Sequence, residues 1–103
     1  MSSDVRDEHL RARPIKKYDI QLLLPAGHPL AGRSAVRLRD IADETFVEMP
    51  VGFGQREVVD DAFTRAELTR RVLIEVSDIT TIPDYVAHGL GVAFLPSEFA
   101  KSS

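Results

Sequence analysis

The feature that most constrains this chain is an alternation of short apolar runs with amphipathic segments. Residues 45–49 (TFVEM), 72–76 (VLIEV) and 91–95 (GVAFL) have strand length, and each is followed by turn or capping residues. Between the first two, Val58, Val59, Ala62, Phe63 and Ala66 recur at helical spacing. Arg56, Glu57, Asp60, Asp61, Thr64, Arg65 and Glu67 occupy the opposite face. Between the second and third, Ile82, Tyr85, Val86 and Leu90 form the apolar side of another helix. Strands alternating with helices predict parallel βαβ units with right-handed crossovers. Residues 20–24 (IQLLL) add a nearly continuous apolar strand, ended by Pro25.

The turns carry their own punctuation. Ala26, Gly27, His28 and Pro29 make a turn, and residues 38–43 leave room for one helical turn. The first long helix spans residues 55–68, with Arg56 and Asp60, and Asp61 and Arg65, in i,i+4 reach. Ser77 and Asp78 offer cap chemistry for the second. Pro83 is tolerated only in a first turn, so that helix starts at Thr80 or Thr81, and Gly89 stops it. Residues 1–17 hold eight charged side chains and no sustained period. They read as a polar arm anchored by Leu10 and Ile15, leaving residues 18–103 as the folded unit.

Several classes of function fall away. The chain has no cysteine, so it has no disulfide scaffold, thiolate metal site or Cys nucleophile. No apolar run approaches the ~18 residues of a membrane span. The charged N-terminal residues do not read as a secretory signal, which points to a cytoplasmic setting. The 16 acidic residues outnumber the 13 Lys and Arg, giving a formal charge of −3, which argues against direct nucleic-acid contact. No G-x-S-x-G elbow is present, and His9, His28 and His88 stand apart with no metal-ligand spacing. His28 reads as a turn residue and His88 as a partner for helix-end carbonyls. Arg33, Arg37, Arg39, Arg70 and Arg71 read as a solvated basic surface. These readings predict no catalytic residues, no metal and no cofactor.

In open α/β sheets, ligands gather off the carboxyl ends of the strands, beside helix N-termini. Those ends are residues 50–55, residues 77–81, and Pro96 with Ser97. Gly52 and Gly54 would let a ligand approach the backbone, with the amides of Gly54, Gln55 and Arg56 facing an anion. The same glycines could serve only a tight turn. Phe53 would either pack over the sheet edge or line a pocket. Thr80 and Thr81 would either touch a ligand or cap a helix. Ser97 would either reach the rim or close a turn. A dinucleotide-binding reading finds Gly52 and Gly54 between strand and helix, with Glu75 about twenty residues on. Glu57 stands where its third glycine belongs.

Residues 22–32 (LLLPAGHPLAG), 37–47 (RLRDIADETFV), 58–63 (VVDDAF), 75–78 (EVSD) and 88–96 (HGLGVAFLP) form an ordered set. Together they resemble the effector-binding domain of LysR-type transcriptional regulators, over residues 10–99. The resemblance implies a three-layer, Rossmann-like α/β sandwich. Its mostly parallel sheet carries an antiparallel strand, as in one lobe of a type 2 periplasmic binding protein. It implies that residues 20–24 run antiparallel beside residues 91–95, with residues 45–49 central. The family's helix-turn-helix and its first effector-binding subdomain have no match here, so this segment reads as the second lobe of a two-lobe sensor. It would contribute half of a cleft for a small, polar or anionic effector, through Gly52, Phe53, Gly54, Gln55, Thr80, Thr81, Pro96 and Ser97. The family also pairs these domains side by side, which implies self-association through the helix at residues 55–68 or that at 81–88. A lobe of a transport solute-binding protein and a nucleotide-binding enzyme domain are the competing readings.

Overall fold

The computed structural model describes residues 10–15 and 20–96. Five strands are present in that span: β1 (Leu10–Pro14), β2 (Ile20–Pro25), β3 (Thr45–Glu48), β4 (Arg71–Glu75) and β5 (Ala93–Pro96). Three α-helices join them: α1 (Leu38–Ile41), α2 (Gly54–Arg65) and α3 (Ile82–Ala87). β1, β2 and β5 form an antiparallel ladder, and β3 pairs with β4 in parallel. A parallel bridge between Phe46 and Val92 links the two groups, through Val47 N–H to Val92 O at 2.8 Å and Val92 N–H to Thr45 O at 2.9 Å. The resulting order is β4-β3-β5-β2-β1, with the β2–β5 pairing antiparallel and β3 between β4 and β5, as the resemblance implies.

Period-2 alternation splits the strand side chains between two cores. Leu22, Leu24, Phe46 and Phe94 face α1 and α2, where Ile41, Val59 and Phe63 complete the layer. Leu23, Val47, Ala93 and Leu95 face α3, against Ile82 and Val86. Phe46 stacks on Phe94 at 5.4 Å, and Phe63 meets both edge-on at 5.9 and 6.0 Å. Such pairs add roughly 0.5–1.5 kcal/mol each beyond burial. This places α2 over the middle of the sheet and fixes where its first turn emerges.

Five sequence expectations need correction. Residues 10–14 were expected within a polar arm, yet they form β1, in register from Leu10↔Pro25 to Pro14↔Gln21. Leu10 is buried and Ala12 packs on the α3 core, so the intervening arginines hid a two-residue period. The helix expected to Leu68 ends at Arg65, because Glu67 turns to φ 58°. The amides of Glu67 and Leu68 then bond back to Thr64 O and Phe63 O at 3.0 and 2.9 Å. Residues 79–81 form a 3-10 turn, so α3 begins at Ile82 with Pro83 inside its first turn. Arg70, expected on a solvated surface, keeps only 6% of its side chain exposed, and Arg56, expected on the polar face of α2, is also buried.

Gly89 does end α3, with its amide on Val86 O at 2.9 Å and that of Leu90 on Tyr85 O at 3.1 Å. Two residues on, Gly91 has a separate task. A Cβ there would lie 2.8 Å from the backbone oxygen of Thr45, so only glycine lets β5 close on β3.

Candidate functional site

β3, β4 and β5 run in the same direction, so their carboxyl ends share one edge of the sheet. The chain leaves β3 there into residues 49–53, leaves β4 into residues 76–78, and ends β5 at Pro96. Gly52, Phe53, Gly54, Gln55, Thr80, Thr81 and Pro96 therefore follow strand ends on one rim. Ser97 lies outside the described residues.

At the first strand end, Gly52 takes φ 102°, which a side chain would strain. Phe53 then occupies the cap position of α2 and offers no side-chain oxygen. Among the described residues, the amides of Gly54, Gln55 and Arg56 stay open, as first-turn donors do without a cap. The Gln55 side chain donates from Nε2 to Phe94 O at 3.1 Å, tying the start of α2 to β5. Val51 and Phe53 stand 71% and 41% exposed beside it, an apolar lip on an otherwise polar rim.

At the second strand end, the capping atom comes from Asp78. Its Oδ1 accepts from the Thr80 amide at 3.0 Å and from the Thr80 hydroxyl at 2.6 Å. These two bonds hold the Asp78 carboxyl below the usual range. The Thr81 hydroxyl donates to Asp78 O at 2.8 Å. Both threonine protons are thus committed to the turn, leaving only lone pairs for another molecule. The rim has open N–H donors at α2 and a carboxylate at residue 78.

Beneath the α2 start lies a charge cluster that the sequence reading did not assemble. Arg56 donates from Nη1 to Met49 O at 2.8 Å and to Glu75 Oε2 at 2.9 Å, and from Nε to Asp60 Oδ1 at 3.0 Å. Arg70 donates from Nη2 to Asp60 at 2.7 Å and from Nε to Glu48 Oε2 at 2.8 Å. Its guanidinium also lies 4.8 Å from the Phe63 ring centroid. Glu48 is 2% exposed. Burial pushes its carboxyl up to about 7, against the opposing pull of Arg70. Burial also opposes ionisation of Asp60, but hydrogen bonds from Arg70 and Arg56 outweigh it and keep that carboxyl low. A signal for Glu48 was available in the sequence: it sits two residues after Phe46, on the same strand face.

The dinucleotide reading loses its acid. Glu75, needed for a ribose, is paired with Arg56. His28 caps the 3-10 turn at Pro29–Gly32, its Nδ1 accepting from the Leu30 amide at 3.0 Å, with Nε2 2.9 Å from Glu44. His88 Nδ1 lies 2.7 Å from Asp84 O at the end of α3. Among the described residues, no group of three or more His, Asp or Glu is placed to hold a metal ion. No helix there is long and apolar enough to cross a membrane.

Comparison with known proteins places these features in context. The LysR substrate binding domain matches residues 1–103. The transcriptional dual regulator GltC of Bacillus subtilis (strain 168) is 38% identical over 85 residues, covering 82% of this chain and 28% of that protein. The cofactor-binding domain of the Cbl transcriptional regulator superposes with TM-score 0.72 at 31% identity, over 93% of this chain and 42% of that one. The regulatory domain of CcmR from Synechocystis PCC6803, in complex with 2-PG, superposes with TM-score 0.72 at 25% identity, over 91% of this chain and 50% of that one. The chain spans 27–28% of the length of the first curated relatives it matches.

Proposed function

The chain belongs to the LysR substrate binding domain family, and from that premise we propose that it is one lobe of the effector cleft of a cytoplasmic transcriptional regulator. The folded unit runs from β1 onward and performs no catalysis. The observation that carries this reading is the uncapped start of α2. Phe53 leaves the amides of Gly54, Gln55 and Arg56 open at the rim where three parallel strands end. A helix start of this kind favours the anionic end of a small molecule. Asp78 at the next strand end favours the opposite chemistry. An effector lying along the rim would turn a carboxylate or phosphate toward residues 54–56 and hydroxyl or amine donors toward Asp78, Thr80 and Thr81. Pro96 and Ser97 would border it at the end of β5. The CcmR regulatory domain, a relative in fold and sequence, binds 2-PG.

The other half of the contacts would come from a second lobe, meeting the exposed Val51 and Phe53. Differential affinity for closed and open lobes is what would let the effector shift a two-state equilibrium. The isolated chain should therefore bind small anions weakly. An 15N-resolved NMR titration with 2-PG, shikimate, benzoate and inorganic sulfate tests this. Shifts confined to the amides of residues 52–56 and 80–81 are expected. Shifts elsewhere on the fold, or micromolar affinity matching an intact regulator, would refute the half-site.

Self-association belongs to the same reading. Val58 on α2 is 49% exposed and Leu73 on β4 is 55% exposed, whereas Ile82 and Val86 of α3 are buried. The α2 side, next to the edge strand β4, is thus the better candidate surface of the two helices. Sedimentation showing a strict monomer at high concentration would remove it.

A further inference from the structure

The five charged side chains beneath α2 are unequal in number: Arg56 and Arg70 face Glu48, Asp60 and Glu75. Two cations and two of the acids alternate along a connected path, Arg70–Asp60–Arg56–Glu75. Asp60 and Glu75 are 41% and 48% exposed at the side chain, so water reaches both and supports them. Glu48, at 2%, has no such support. With Glu48 neutral the path is balanced. With Glu48 ionised it carries one uncompensated negative charge, and Arg70 must divide its donors between two carboxylates.

We propose that Glu48 is a proton-binding switch within the brace that seats α2 on the sheet, neutral when the Arg70–Asp60–Arg56–Glu75 path stands balanced and ionised at the cost of one uncompensated charge. The groups facing it from the surrounding elements are Arg56 and Asp60 on α2, Arg70 ahead of β4 and, through Arg56, Glu75 on β4. None of them is a histidine. Burial shifts Glu48 in the direction the charge count requires. The switch reaches the rim by a short covalent and hydrogen-bonded route. Glu48 precedes Met49, whose carbonyl is held by Arg56, and Arg56 supplies the third amide of the α2 start. Ionisation of Glu48 draws Arg70 from Asp60, which loosens the hold of Asp60 on Arg56 and shifts the first turn of α2.

The test uses the whole chain with 13C-labelled Glu side chains and 15N-labelled backbone, followed by NMR from pH 5 to 9. One Glu carboxyl should titrate with a midpoint near neutrality and vanish from the spectrum of Glu48→Gln. The amides of Gly54, Gln55 and Arg56 should shift with the same midpoint in the parent and stay flat in the variant. A merely structural Glu48 would not move them. Absence of any Glu carboxyl titrating above pH 6 would overturn the proposal, as would rim amides that titrate unchanged in Glu48→Gln. If that variant does not fold, Glu48→Asp serves in its place. The shorter side chain should move the shared midpoint of carboxyl and amides together, and an unmoved midpoint would count against the switch.

Discussion

Arg70 and Glu48 form an ion pair at 2.8 Å with 6% and 2% of their side chains exposed, while the same guanidinium lies over the Phe63 ring. Neither residue is on the rim of strand ends, yet Arg70 also donates to Asp60 on α2 at 2.7 Å. A pair this buried does little for net stability, because desolvation offsets most of the attraction. Its removal from one side is another matter.

Arg70→Met should destabilise the fold by about 3–5 kcal/mol at pH 8, since Glu48 loses the cation that offsets its burial and must take up a proton to stay buried. Below pH 6 the loss should shrink, because Glu48 then carries a proton. Adding Glu48→Gln to Arg70→Met should recover part of the loss at pH 8. Urea denaturation of the three variants at both pH values measures this.

The parent chain should show an uncommon pH profile. The folded Glu48 carboxyl sits at about 7 against an ordinary 4.5, so the native state holds this proton more tightly than the unfolded state does. Stability should therefore fall as pH rises from about 4.5 to 7 and level off above, by on the order of 3 kcal/mol. Asp60 acts in the opposite sense. Its lowered carboxyl stabilises the fold above the ordinary value of 3.8, and that contribution is lost as pH falls through its folded value. Denaturation midpoints across pH 3 to 9 should peak between the two limbs.

Gly91→Ala should cost about 1–3 kcal/mol, the range for forcing an added methyl into a packed site. The Thr45 oxygen it would meet at 2.8 Å cannot retreat, because it accepts the Val92 amide at 2.9 Å. The same substitution at Gly54, where nothing lies within 4 Å of an added Cβ, should be nearly neutral for folding. Thermal denaturation separates the two positions.

Glu67→Gly should stabilise the chain by up to about 1 kcal/mol, because a side chain at φ 58° is strained there and glycine is not. The back-bonds from residues 67 and 68 to Thr64 and Phe63 should survive. The readout is a rise in denaturation midpoint with an unchanged dependence on denaturant.

Much of this protein was legible in its order of residues. Apolar runs ended by Pro25, Pro50 and Pro96 marked three strands, and the spacing of Val59, Ala62 and Phe63 marked the face of α2 that is buried. The rim followed, because parallel strands put their carboxyl ends together wherever the helices cross over. β1 escaped notice because Arg11 and Arg13 dominate its composition while Leu10 and Ala12 do the packing. The capping role of Asp78 was legible. The commitment of the Thr80 and Thr81 hydroxyls to it was not, since that depends on the 3-10 geometry of the turn.

Sequence alone determined what each segment could become, through local rules of period and punctuation that act over a few residues. Only the tertiary structure decided which charges would meet. Glu48, Arg56, Asp60, Arg70 and Glu75 are spread over 28 positions of the chain, and each alone reads as a surface residue. The burial of Glu48, Arg56 and Arg70 came from α2 packing on Phe46 and Phe94, which sealed one face of β3 from water, while Asp60 and Glu75 stay half-exposed at its edge. Electrostatics inside a fold depends on that exclusion of water, and no window of sequence contains it.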